Sequence, residues 1–132
     1  MSRIVIAEDH EPLCALLCNT LQRAGHEVFQ AFNGEECLHA VRTFAPDLVV
    51  TDINMPEKNG LEILMELKRT FPEIPVIAIS GGAKLRIGNF LPIAKKLGAV
   101  RTLAKPFLLT QLHDAINESL EEFKTARILS RK

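Results

Sequence analysis

This chain of 132 residues has no excess of either charge: lysine plus arginine number 16, and so do aspartate plus glutamate. A direct nucleic-acid binder draws most of its affinity from phosphate contacts and usually carries a basic surplus, so that class is not suggested here. No stretch approaches the roughly 20 apolar residues of a membrane-spanning helix, and residues 1–7 run straight into a strand pattern instead of a secretory leader. A soluble protein without membrane or nucleic-acid contact is expected. Cysteine is sparse and odd in number. Cys14, Cys18 and Cys37 without a leader argue for a reducing compartment, and the expected location is cytoplasmic. Cys14 and Cys18 stand four apart, but no second His/Cys pair matches them as metal ligands, so buried small hydrophobes are expected. Repeats, low-complexity segments and Pro/Gly/Ser linkers are also absent. The length supports one domain with one core, expected over residues 2–124, with 125–132 as a tail or an extension of the last helix.

What is present is an alternation of short β-branched runs with longer helical patterns. Strands are expected over Arg3–Ala7, Glu27–Ala31, Leu48–Thr51, Val76–Ser80 and Arg101–Leu103. Ile4-Val5-Ile6, Leu48-Val49-Val50 and Val76-Ile77-Ala78-Ile79 are continuous apolar runs, as expected of central strands in a parallel sheet covered on both faces. A first helix holds Pro12 in its opening turn, ends before Gly25 and turns Leu13, Cys14, Leu17, Cys18 and Leu21 to the core. A second follows Asn33 as its cap, a third spans about Gly60–Thr70, and the last is expected to be capped by Thr110. That last helix buries Leu112, Ile116, Leu120 and Phe123, and leaves Glu118, Glu121, Glu122 and Lys124 as a wet surface. Between Ser80 and Gly98, Gly81, Gly82 and Gly88 disfavour a continuous helix. A loop and a short fourth helix from about Phe90 or Leu91 to Leu97 are expected, with Phe90, Ile93, Ala94 and Leu97 packed inward.

In such βα units the residues at the carboxyl ends of strands gather along one sheet edge, where ligands of open α/β folds bind. Those ends offer Glu8 and Asp9, then Asp52, Ser80 and Lys105. Taken singly, each has an ordinary reading: Asp9 as a helix cap, Ser80 as a strand-end hydroxyl, Lys105 as an exposed turn residue. Their joint placement favours chemistry. Three carboxylates brought together repel unless a cation holds them, and a hard divalent ion, Mg²⁺ with Mn²⁺ as a substitute, suits carboxylate oxygens. Asp9 and Asp52 suit direct ligation, Glu8 suits a water-mediated contact, and a backbone carbonyl just after Asp52 completes the protein's share. A carboxylate is also a competent nucleophile toward phosphorus. Phosphoryl transfer needs in-line positioning and positive charge on the transferring oxygens, which the ion and Lys105 supply. Ser80 adds a hydroxyl donor, and Gly81-Gly82 lets backbone amides come close.

The pieces IVIAEDH, DLVVTDINMPEKNG, IPVIAISGGA and LGAVRTLAKPF, in this order and spacing, resemble the CheY-like receiver domain of two-component response regulators over about residues 2–124. The resemblance implies a flavodoxin-like, doubly wound five-stranded parallel sheet of order 2-1-3-4-5 with helices on both faces. It implies Asp52 as phosphoacceptor, Asp9 and the Asn54 main-chain carbonyl as metal ligands, Glu8 as the water-mediated acid, Ser80 as the switch hydroxyl and Lys105 as partner of the phosphoryl group. A cis peptide before Pro106 also follows from it. The donor implied is a phosphohistidine on a sensor histidine kinase or histidine phosphotransfer protein.

Two departures from the family stand out. Thr102 occupies a position where an aromatic is common, so transmission of the switch is expected by another route through the fourth helix or its loop. The stretch from Ser80 to Gly98 is longer than usual, and Leu85, Ile87 and Phe90 within it are candidates for a partner patch or for inward packing. The expectation is a signalling receiver, not a general enzyme, acting as a monomer or a weak phosphorylation-dependent dimer. The segment KTARILSRK after Phe123 is too short for an output module, so output on another protein is expected. An aspartate-nucleophile phosphohydrolase is the enzymatic alternative, though such enzymes place a DxD pair after the first strand. A non-phosphorylated docking module is the other.

Overall fold

The computed structural model describes residues 2–53, 60–80 and 91–130, the side chains of 91 and 125–130 excepted. Among the described residues five strands, β1 (Arg3–Ala7), β2 (Glu27–Ala31), β3 (Leu48–Asp52), β4 (Val76–Ser80) and β5 (Arg101–Ala104), alternate with five helices. These are α1 (Glu11–Arg23), α2 (Gly34–Phe44), α3 (Gly60–Thr70), α4 (Leu91–Lys96) and α5 (Leu109–Ser130). The strands form one parallel sheet of order β2-β1-β3-β4-β5. This is the flavodoxin-like α/β arrangement.

The continuous apolar runs fold as central strands because each strand turns successive side chains to opposite faces, and both faces are covered. Ile4, Ile6, Leu48, Val50, Ile77 and Ile79 pack with Cys14, Leu17, Leu21, Leu112 and Ile116 of α1 and α5. Val5, Ala7, Val49, Val76 and Ala78 pack on the other face with residues of α2, α3 and α4. All three cysteines are free and buried within these layers.

A side-chain cap fixes the start of α2. Asn33 Oδ1 accepts from the Glu36 N–H at 2.9 Å, while Glu36 Oε1 accepts from the Phe32 N–H at 2.7 Å, so two otherwise unpaired donors are satisfied around the start of α2. Pro12 lies in the first turn of α1. Thr110 is not a cap: α5 begins one residue earlier, at Leu109, and the Leu108 N–H is met by Gln111 Oε1 at 2.8 Å. Ile93 does not pack inward, being 45% exposed, and Ala94 takes the buried place. Glu118 and Glu122 are more than a wet surface, because both pair with Arg101 of β5, at 3.5 and 2.5 Å. Phe90, Leu85 and Ile87 lie outside the described residues. Among the described residues no helix is long and apolar enough to cross a membrane.

Candidate functional site

The four strands β1, β3, β4 and β5 are consecutive neighbours, so their carboxyl ends lie side by side. The register aligns them closely: Ala7 pairs with Thr51, Asp52 with Ile79, and Ser80 with Ala104. Glu8 and Asp9 follow β1, Asp52 and Ser80 end β3 and β4, and Lys105 follows β5. The Lys105 N–H donates to the Ser80 carbonyl at 2.8 Å, which extends the β4–β5 pairing by one residue up to the site. The Lys105–Pro106 peptide is cis.

Carboxylate oxygens of Glu8, Asp9 and Asp52 lie within 4.8 Å of one another. Glu8 and Asp52 are buried, at 1% and 3% exposure, whereas Asp9 is open to solvent. Lys105 reaches in from β5 and places Nζ 2.6 Å from Asp52 Oδ2 and 2.7 Å from Glu8 Oε1. The contact to Asp52 is a directed hydrogen bond. The contact to Glu8 is a close ion pair outside hydrogen-bonding direction, so Glu8 Oε1 is buried without a hydrogen-bond partner. Its other oxygen accepts from the His10 N–H at 3.0 Å.

These surroundings shift the charges in opposite senses. Burial pushes the Glu8 carboxyl up to about 7, the Asp52 charge adds to the rise, and Lys105 and the His10 amide only partly oppose it. For Lys105, burial works against its charge, but Asp52 and Glu8 outweigh burial and hold the ammonium above its usual range. The result is a half-enclosed acidic cluster with one ammonium against it.

A cation fits this arrangement. Oxygens on opposite sides of a Mg²⁺ ion stand about 4.2 Å apart and adjacent ones about 3 Å, so three carboxylates spanning a slightly larger space accommodate the ion with water in part of its shell. Among the described residues this is the one group of three or more acids, histidines or cysteines close enough to share a metal.

The family profile described as the response regulator receiver domain matches residues 4–117. The chain belongs to this family. As a receiver domain it has a phosphoacceptor, response-regulator function, and its family signals more than it catalyses. It is 33% identical over 118 residues to sporulation initiation phosphotransferase F of Bacillus subtilis, covering 89% of this chain and 93% of that protein. It is 30% identical over 118 residues to the chemotaxis protein CheY of Thermotoga maritima, covering 88% and 95%. Among solved structures, a CheY-like receiver protein from Methanospirillum hungatei superimposes with a TM-score of 0.87 at 25% identity, covering 96% of this chain and 98% of that one. NtrX from Brucella abortus reaches 0.89 at 31% identity over 98% of this chain, yet the receiver spans only 29% of the NtrX chain.

Of the residues expected to meet, Glu8, Asp9, Asp52 and Lys105 converge through their side chains, and Ser80 lies fully buried at the adjoining end of β4. Asn54 lies outside the described residues, as do Gly81 and Gly82. Two contributors were not expected. The His10 main-chain amide serves Glu8, which no side-chain pattern announces. Thr51 is fully buried beside Asp52 and donates its hydroxyl to the Asp52 carbonyl at 3.1 Å. Its signal was available, as the one hydroxyl in the otherwise apolar run LVVT.

Proposed function

We infer that this receiver takes a phosphoryl group onto the Asp52 carboxylate from a phosphohistidine of a sensor histidine kinase or histidine phosphotransfer protein. In the transfer a carboxylate oxygen of Asp52 forms a bond to phosphorus as the phosphorus–nitrogen bond breaks and the imidazole leaves. Mg²⁺, with Mn²⁺ as a substitute, neutralises charge on the transferring oxygens when bound. Asp9, Asp52 and the Asn54 carbonyl are the residues to hold it, and Glu8 is the residue to reach it through water. Lys105 supplies fixed positive charge to the phosphoryl oxygens, and the Ser80 hydroxyl donates to one of them. The observation that carries this reading is the 2.6 Å approach of Lys105 Nζ to Asp52 within reach of two further carboxylates.

The receiver unit is read as residues 2–124, with 125–132 beyond it. Loss of the phosphoryl group to water by the chain's own catalysis, a location in the cytoplasm, and output through altered binding of another protein belong to the same proposal. The switching surface is assigned to residues 81–104 and α5, with the chain as a monomer or a weak phosphorylation-dependent dimer. The test is incubation with phosphoramidate and Mg²⁺, followed by intact-mass measurement on wild type and Asp52→Asn. One acid-labile phosphoryl adduct on wild type alone is expected. An equal adduct on Asp52→Asn would show that another residue is the nucleophile.

A further inference from the structure

We propose that Thr51 is a positioning residue for phosphoryl transfer, acting by clamping the peptide unit that joins Asp52 to Ile53. The inference rests on Asp52 being the acceptor. Thr51 has no solvent exposure and sits on the α2/α3/α4 face of the sheet, in register with Ala7 on β1 and Ala78 on β4. Two alanines flank it, so the apolar layer offers its hydroxyl nothing from those neighbours. A buried hydroxyl is retained only when it is paired. The partner is the Asp52 carbonyl, at 3.1 Å.

The same peptide is held from its other end. The Ile53 N–H donates to the Ile79 carbonyl of β4 at 2.9 Å. Both polar groups of one peptide are therefore engaged, by a side chain on β3 and by the main chain of β4, which fixes ψ of Asp52 and φ of Ile53. Gly60, the first residue of α3, abuts the Ile53 backbone so closely that any β-carbon there would collide with it. The acceptor is thus the last residue of a strand whose exit direction is set on three sides, and Thr51 is the component that a single atom can remove. In-line transfer tolerates little error, because the reacting atoms must lie about 3–3.5 Å apart and aligned, and misplacement by about 1 Å costs on the order of 100-fold.

Valine keeps the β-branched shape that the strand and the layer require but lacks the donor. Serine keeps the donor and loses the methyl. Wild type, Thr51→Val, Thr51→Ser and Asp52→Asn are compared in two measurements. The first is amide hydrogen exchange at Ile53 by NMR, without divalent ions or phosphodonor. The second is the rate of phosphoryl uptake from phosphoramidate with Mg²⁺, followed by intact mass over a range of donor concentrations. Thr51→Val is expected to melt cooperatively, exchange the Ile53 amide about tenfold faster, and lose about tenfold in maximal uptake rate with the half-saturating donor concentration unchanged. Thr51→Ser is expected to stay within about twofold of wild type in both.

Thr51→Val with wild-type uptake and wild-type exchange, alongside an inert Asp52→Asn, overturns the positioning role while leaving the acceptor intact. An adduct on Asp52→Asn overturns the acceptor reading and this inference with it. If the valine variant does not melt cooperatively, Thr51→Ala, which removes the hydroxyl without adding a methyl to the layer, is scored by the same criteria.

Discussion

Replacing Glu8 by glutamine isolates the energetic cost of the most deeply buried acid of the site. Glu8 is 1% exposed, one of its oxygens has no hydrogen-bond partner, and its carboxyl is held at about 7 against an ordinary 4.5. Below 4.5 the folded and unfolded chains both carry the proton, and the group costs nothing. Between 4.5 and 7 the unfolded chain releases the proton while the folded chain keeps it, so stability falls as pH rises. Above 7 the loss is constant, on the order of 3 kcal/mol from the size of the shift alone. Glutamine does not titrate, so the variant escapes this loss. Lys105 then loses one contact but keeps Asp52 at 2.6 Å, which reduces the gain to roughly 1–3 kcal/mol. Urea unfolding of both proteins without divalent ions, at intervals from about pH 4 to pH 8, reads the difference directly. The variant should gain on wild type across the acidic half of that range and hold its advantage above neutrality. A stability difference that stays flat with pH, or that shifts toward wild type as pH rises, refutes the assignment of a strained, proton-retaining Glu8.

Three further outcomes are expected. Mg²⁺ at about 100 times its dissociation constant should stabilise wild type by roughly 2.7 kcal/mol in thermal or urea unfolding, and chelation should reverse it; Asp9→Asn should lose most of that gain, and an undiminished gain would remove Asp9 from the ligand set. Ala45 caps the end of α2 in the left-handed region at φ 46, so Ala45→Gly should raise stability by about 0.5–1 kcal/mol in urea unfolding, and a loss would mean that its methyl packs more favourably than its backbone strains. Gly60→Ala should cost about 3 kcal/mol or more because its new methyl meets the Ile53 backbone, and a variant of wild-type stability would show that α3 can shift away.

The layered fold was legible because its signals are local. Continuous apolar runs mark the central strands, and the polar residues directly after them mark the sheet edge, so Glu8, Asp9, Asp52, Ser80 and Lys105 could be placed before any contact was known. Part of what escaped depended on partners distant in sequence. Arg101 binds Glu118 and Glu122 only because α5 returns across β5, and periodicity alone leaves those glutamates at the surface. Ile93 fits an inward position by residue type, but α4 has six residues, too few to bury more than a narrow stripe, and Ala94 occupies it. Thr110 is a good cap by type. The first turn instead uses Gln111, whose side chain reaches back to the Leu108 amide. Thr51 was visible as an oddity in an apolar strand, yet its meaning needed the orientation of the following peptide.

The site can hold three acids because they are not equivalent. Asp9 is exposed, so water screens it; Asp52 is buried but answered by Lys105; Glu8 is buried and poorly answered, and holds its proton up to about 7. Without a divalent ion, the cluster limits its own repulsion near neutral pH by keeping that proton. A divalent ion held by Asp9 and Asp52, as proposed, would do the same work electrostatically and make that proton dispensable. The charges of the site lie at or just beyond the carboxyl ends of β1, β3 and β5. Directly beneath, Ile6, Val50 and Ile79 are at most 1% exposed, and their packing with α1 and α5 supports the acidic edge without sharing its charge. A sheet with both faces covered can therefore carry a strained, charged rim, because the apolar layers that stabilise it and the acids that burden it meet only at the carboxyl ends of its strands.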